Sequence, residues 1–143
     1  MPADVIVVGV DGTEHSQRAL VWAAQEAARH DAALHVVHVW HDPIPGHPMQ
    51  GLPAMELHDA RRHILDSALE AARQYTDKVD SLLADGDPTN ELVAISKDAY
   101  LLVVGSRGHG VVAAAVLGSV SAGCAQDASC PVVIIPPGFL PDR

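Results

Sequence analysis

Apolar residues recur along this chain at two different periods. Val5-Ile-Val-Val-Gly-Val10 is β-branched and apolar without alternation, which predicts a parallel strand covered on both faces. Asp11-Gly12-Thr13 reads as a turn. From about Ser16, alanines and a leucine (Ala19, Leu20, Ala23, Ala24, Ala27, Ala28) return nearly every fourth residue, the stripe of an amphipathic helix. Leu34–Trp40 is a second strand, so the first forty residues form a right-handed βαβ unit. Asp42–Pro53 holds four prolines and two glycines and reads as a loop. Helical spacing resumes over Ala54–Tyr75, with Leu57, Ile64, Leu65, Ala68, Leu69 and Ala72 on one side. A short strand, Val79–Leu83, comes next. Asp87-Pro88 then opens a third helix, acid at the N-cap and proline in the first turn, whose stripe is Leu92, Ile95 and Ala99. Tyr100–Val104 is a fourth strand, Ser119–Asp127 a fourth helix and Val132–Ile135 a fifth strand. No repeat, low-complexity tract or linker interrupts this alternation, so residues 1–143 are expected to form one α/β domain.

The chemistry concentrates after the fourth strand. Gly105-Ser-Arg107-Gly108 follows it directly, and nine residues later Gly118-Ser119-Val120-Ser121 opens a helix. Glycines let backbone N–H groups approach a ligand with no Cβ in the way, and the first amides of a helix lack intrahelical acceptors. An anion here would meet those amides, the positive end of a helix dipole, the hydroxyls of Ser119 and Ser121, and the guanidinium of Arg107. The segment is not a P-loop, because no Lys-Ser or Lys-Thr follows the glycines. Gly108-His109-Gly110-Val-Val-Ala113 mimics a dinucleotide fingerprint, but the strand that follows runs into Pro136-Pro137 with no acid at its end, so that reading fails. The plain alternative is that Gly105 and Gly108 only make a turn.

A formal net charge of -9 argues against a nucleic-acid or anionic-membrane surface, so a phosphate site has to be built locally. The start Met-Pro-Ala-Asp lacks the basic segment of a secretory leader, and Val111–Val120 is too short and too interrupted to span a bilayer; the expected location is the cytoplasm. Cys124 and Cys130 are too few for a zinc site and are expected to stay reduced as packing groups. Nine histidines invite a metal hypothesis that geometry defeats. On a strand His35 and His41 share a face but lie roughly 20 Å apart, with His38 on the other face. His58 and His63 are off-face on a helix. No metal site is expected from the protein's own residues.

Together, Val8-Gly9-Val10-Asp11-Gly12-Thr13, His35-Val-Val-His-Val39 and the long spacing Gly105-x2-Gly108-x9-Gly118-Ser119 resemble the universal stress protein family in its ATP-binding form, over nearly the whole chain. The resemblance implies an open five-stranded parallel sheet in the order 3-2-1-4-5 with flanking helices, and ATP, with Mg2+ carried on its phosphates, at the carboxyl ends of strands one and four. It implies that Asp11 meets the adenosine moiety and that Val39 meets adenine through its backbone and side chain. Gly105, Gly108, Gly118, Ser119, Val120 and Ser121 would receive the phosphates, with Gly9, Val10, Gly12, Thr13, Arg107, His109 and Gly110 close by. Asp11 has a competing role as a turn and cap residue. In that strand order Val132–Ile135 is an apolar edge, which points to a homodimer paired through it. The functional expectation is a nucleotide-dependent regulator of stress response or growth with no dedicated catalytic residue. Slow ATP hydrolysis through His109, AMP or cyclic-AMP binding, and a partner-binding module with an empty pocket remain as alternatives.

Overall fold

In the computed structural model, residues 4–40, 54–106 and 117–141 are described. The elements are β1 (Val5–Gly9), α1 (Glu14–His30), β2 (Ala33–Trp40), α2 (Ala54–Ala72), β3 (Val79–Asp85), α3 (Pro88–Ile95), β4 (Leu101–Gly105), α4 (Ser119–Asp127) and β5 (Val132–Ile135). The strands form one sheet, all parallel as the alternation of elements predicted, in the order β3-β2-β1-β4-β5 that the family resemblance implied.

Helices cover both faces, which is why the central strands β1 and β4 carry no polar alternation, whereas β3 at the edge alternates in exposure. On one face α1 and α2 bury Ile6, Val8, Leu34, Val36 and Val103 beneath Leu20, Ala23, Ala24 and Leu65. On the other, α3 and α4 cover Val7, Val37, Leu102 and Val104 with Leu92 and Cys124. The alanines of α1 let this helix lie close to the sheet, and Ala19, Ala23, Ala24 and Ala27 are all fully buried.

Element ends differ from the sequence reading where hydrogen bonds decide them. α1 begins at Glu14, not near Ser16, because the Thr13 hydroxyl accepts the Ser16 N–H at 3.3 Å and caps the helix two residues earlier. It ends at Asp31, whose left-handed backbone (φ 51°) sends its N–H back to the Ala27 and Ala28 carbonyls. α2 stops at Ala72, and Tyr75 packs on the core from the turn that follows. β3 runs to Asp85, longer than its composition suggested, because β2 pairs with it along its whole length. The Ser96 hydroxyl donates to the Leu92 carbonyl at 2.7 Å and closes α3, leaving Ala99 to pack from outside the helix. After β5 the chain turns onto the α1 face: Phe139 packs against that core, and Arg18 of α1 donates to the Pro137 carbonyl. The Asp42–Pro53 loop lies outside the described residues. Among the described residues, no helix is long and apolar enough to cross a membrane.

Candidate functional site

The chain leaves β1 toward β2 on one side and reaches β4 on the other, so a crevice is expected beyond the carboxyl ends of β1 and β4. Most of the expected site residues stand on this rim. Gly9 ends β1 with its α-carbon facing Leu92 of α3, where a Cβ would lie 3.0 Å from the leucine Cδ1. Val10 is buried and donates its N–H to the Val37 carbonyl at 2.8 Å. The chain then breaks from the sheet through Asp11-Gly12-Thr13. Gly12 has φ 86°, the left-handed region that a glycine adopts without strain, and Ile64 of α2 packs over it.

Asp11 shapes this turn. Its Oδ1 accepts from the Thr13 N–H at 3.0 Å and from the Thr13 hydroxyl at 2.6 Å. The Asp11 N–H donates to the Ser16 hydroxyl at 3.1 Å, and that hydroxyl donates to the Thr13 carbonyl at 3.0 Å. Asp11, Thr13 and Ser16 therefore form one connected network. Ser16 was absent from the expected site; the Thr-x-x-Ser spacing at a helix start was the signal for it.

The second half of the rim is the start of α4. Its N-cap, Gly118, makes no side-chain cap, whereas Thr13 caps α1 and Asp87 caps α3 by accepting the Asn90 N–H at 3.0 Å. Gly118 donates its own N–H to the Ser106 carbonyl at 2.7 Å, and the first intrahelical bond runs from Ala122 N–H to the Gly118 carbonyl. Among the described residues, the N–H groups of Ser119, Val120 and Ser121 find no acceptor. Ser119 is exposed at the helix mouth. Ser121 has a different task from the one expected. Its hydroxyl is buried and faces the Ser106 carbonyl at 2.9 Å and the Gly118 carbonyl at 3.1 Å, so its single proton anchors α4 to the end of β4 and does not point to a ligand.

Gly105 ends β4 opposite Ile135. Ser106, the next residue, is 2% exposed, and its hydroxyl has no partner among the described residues. It lies against the first turn of α4 through its carbonyl, and only the three-dimensional position singles it out. Arg107, Gly108, His109 and Gly110 lie outside the described residues.

Val39 completes the rim. Its side chain packs half-buried against the α3 face. The next residue, Trp40, carries the Arg61 guanidinium 3.8 Å above its ring, and Arg61 reaches Asp85 at 3.1 Å, which pins α2 to the ends of β2 and β3.

The described histidines do not gather, and His41, His47 and His109 lie outside the described residues. His35 meets Asp80 at 3.2 Å, His38 is buried on the opposite face, and His58 and His63 are exposed on α2. Among the described residues, no group of three or more His, Cys, Asp or Glu could hold a metal ion. Both cysteines are free. Burial, with the negative charge of Asp127 next, pushes the Cys124 thiol up to about 11, so it is a packing group and not a nucleophile.

A doubly wound parallel sheet with a capped turn after β1 and an uncapped helix after β4 defines an α/β protein whose candidate site is the switch-point crevice. The chain belongs to the universal stress protein family, whose profile matches residues 3–136. It is 35% identical over 138 residues to a universal stress protein of Mycobacterium tuberculosis, a match covering 91% of this chain and 47% of that relative. The chain thus spans about half the length of the mycobacterial relatives it matches. Among solved structures, a universal stress protein in complex with cAMP superposes with a TM-score of 0.74 at 29% identity, covering 95% of this chain and 98% of the other. The universal stress protein of Archaeoglobus fulgidus in complex with dAMP gives 0.72 at 26% identity, covering 94% and 99%.

Proposed function

We propose that this chain is a cytoplasmic, ATP-binding universal stress protein domain that works as a nucleotide-dependent regulator of stress response or growth. The observation that carries this reading is the start of α4: α1 and α3 each have one amide capped by their own side chain, whereas α4 has no side-chain cap and, among the described residues, the N–H groups of Ser119, Val120 and Ser121 find no acceptor. Those amides and the exposed Ser119 supply donors suited to phosphate oxygens, and Gly105 and Gly118 keep side chains out of the approach. Arg107, Gly108, His109 and Gly110 belong to the same cradle by their place in the sequence. Mg2+ arrives with the phosphates, because the protein offers no ligand cluster of its own among the described residues.

The base lies at Val39. Residues of β2 alternate in the direction of their backbone bonds, and Val37 serves β1. The N–H and C=O of Val39 therefore also point to the β1 side, beyond the place where β1 has left the sheet. A donor and an acceptor side by side match N1 and the amino group of adenine, whereas guanine offers the opposite pair at the same positions. Asp11, with Gly9, Val10, Gly12 and Thr13 around it, faces the ribose from the β1 turn.

The complexes of two structural neighbours favour a second reading, in which a mononucleotide such as AMP or cAMP is the ligand. One experiment separates the two: calorimetric titration of ATP, ADP, AMP, cAMP and GTP, each with and without Mg2+. Tightest binding of Mg-ATP supports the proposal. Equal or tighter binding of AMP or cAMP supports the second reading, and no binding of any adenine nucleotide overturns both. The assembly we propose is a homodimer paired through Val132–Ile135, an apolar strand at the edge of the sheet.

A further inference from the structure

The ladder between β1 and β2 ends in an unusual way. Its last bond runs from the Val10 N–H to the Val37 carbonyl, with Gly9 opposite Val37. In a parallel ladder the next rung would be the Val39 N–H donating to the Val10 carbonyl. That rung is not made. The Val10 carbonyl lies instead 2.8 Å from Nδ1 of His38, a side chain only 6% exposed. A carbonyl only accepts, so Nδ1 carries the proton, and in the neutral ring Nε2 is then an acceptor. That Nε2 is buried with no partner among the described residues.

This arrangement costs stability on its own account, because a leucine in the same place would bury no unpaired nitrogen, and the Val39 N–H could serve the Val10 carbonyl. The imidazole takes the place of a backbone donor. Its effect is to leave the N–H of Val39 pointing into the rim beside its own carbonyl.

We infer that His38 is a positioning residue for base recognition: by donating Nδ1–H to the Val10 carbonyl it stops the sheet one rung early and keeps the Val39 N–H open for the acceptor edge of an adenine. This role rests on the adenine reading of the rim. His38 touches no ligand in this scheme and acts only through Val39.

The test compares the wild type with His38→Leu, which removes the donor, and His38→Asn, whose side-chain amide places an N–H close to where Nδ1 stands. Amide hydrogen exchange of the nucleotide-free protein reads the ladder directly. In the wild type the Val39 amide is expected to exchange much faster than the Val37 amide. In His38→Leu it becomes protected like Val37, and in His38→Asn it stays fast. Titration with adenosine and with ATP reads the consequence: His38→Leu weakens both by about tenfold, the size of one hydrogen bond lost to the ligand, and His38→Asn restores them. The melting temperature of His38→Leu is expected to equal or exceed that of the wild type, which a merely structural role would not produce. A protected Val39 amide in the wild type, or an unprotected one in His38→Leu, overturns the inference whatever the ligand proves to be. Unchanged adenosine affinity in His38→Leu overturns it as well. A wild type that exchanges as expected yet binds no adenine nucleotide overturns the adenine reading and the role built on it, while the early end of the ladder stands.

Discussion

Gly123 controls the distance between the two helices on one face of the sheet, and its replacement by alanine gives a sharp test of the packing. A Cβ built at Gly123 would lie 2.6 Å from Thr89 Cγ2 and 3.0 Å from Thr89 Oγ1, too close for α3 and α4 to keep their positions. Forcing such a methyl into a packed contact costs about 1–3 kcal/mol. The same change removes a glycine from a helix, which returns about 0.8–1.0 kcal/mol. Gly123→Ala is therefore expected to destabilise the domain by about 0–2 kcal/mol, a drop of up to roughly 8 °C in melting temperature. Thr89→Ala deletes both offending atoms and leaves the Thr89 Cβ at 3.4 Å, an ordinary contact. In the double variant only the helix gain survives, so the two changes should be coupled by at least about 1 kcal/mol. Urea unfolding of the four proteins, analysed with a common slope, measures that coupling. The movement of α4 also carries its open amides, so Gly123→Ala should weaken ATP more than adenosine and the double variant should recover it. Additivity of the two changes within about 0.3–0.5 kcal/mol would refute the contact, and with it the idea that Gly123 sets the cradle.

Mg-ATP at a hundredfold excess over its dissociation constant should stabilise the fold by about 2.7 kcal/mol, and Gly118→Val should abolish the shift in melting temperature; a full shift in the variant would place the cradle elsewhere. Asp11→Ala removes both bonds to Thr13, so it should lower stability by about 1–3 kcal/mol as well as weaken nucleotide binding, and denaturation read beside calorimetry shows whether both effects occur. Iodoacetamide at pH 8 should label Cys130 and spare Cys124 until denaturant is added, as mass spectrometry of the labelled peptides would report. The same thiol makes a pH prediction: its folded value of about 11 stands above the ordinary 9.0, so the folded state holds the proton longer and stability should fall as pH rises from 9.0 toward 11, a slope that Cys124→Ala should reduce. Val132 and Ile134 alternate with the residues that bond β4, so their N–H groups face the open edge; Ile134→Pro should turn a dimer of about twice 15.0 kDa into a monomer by light scattering, without unfolding it.

The parallel sheet was legible because its central strands carry no polar alternation: Val5–Val10 and Leu101–Val104 are apolar on both faces, which only a sheet covered on both sides can bury. The glycine spacing after β4 and the turn after β1 were legible for a similar reason, since tight backbone geometry admits few residue types. Hydroxyl and imidazole roles were not legible. Ser119 and Ser121 sit two residues apart in the same motif, yet one opens to solvent and the other is spent on the Ser106 and Gly118 carbonyls, a difference set by which side of α4 meets β4. His38 reads as one more histidine in a strand until its ring is found 2.8 Å from the Val10 carbonyl, where the next rung of the ladder would end. Gly123 reads as a weak point in a short helix until Thr89 is found beside it. The amino-acid sequence by itself determined the alternation of elements, the buried faces and the helix start that lacks a cap, because these depend on periodicity and local backbone chemistry. Only the tertiary structure decided which polar atoms face a ligand and which hold the frame, because the roles of His38 and Ser121 depend on the Val10 and Ser106 carbonyls, 15 or more residues away in the chain.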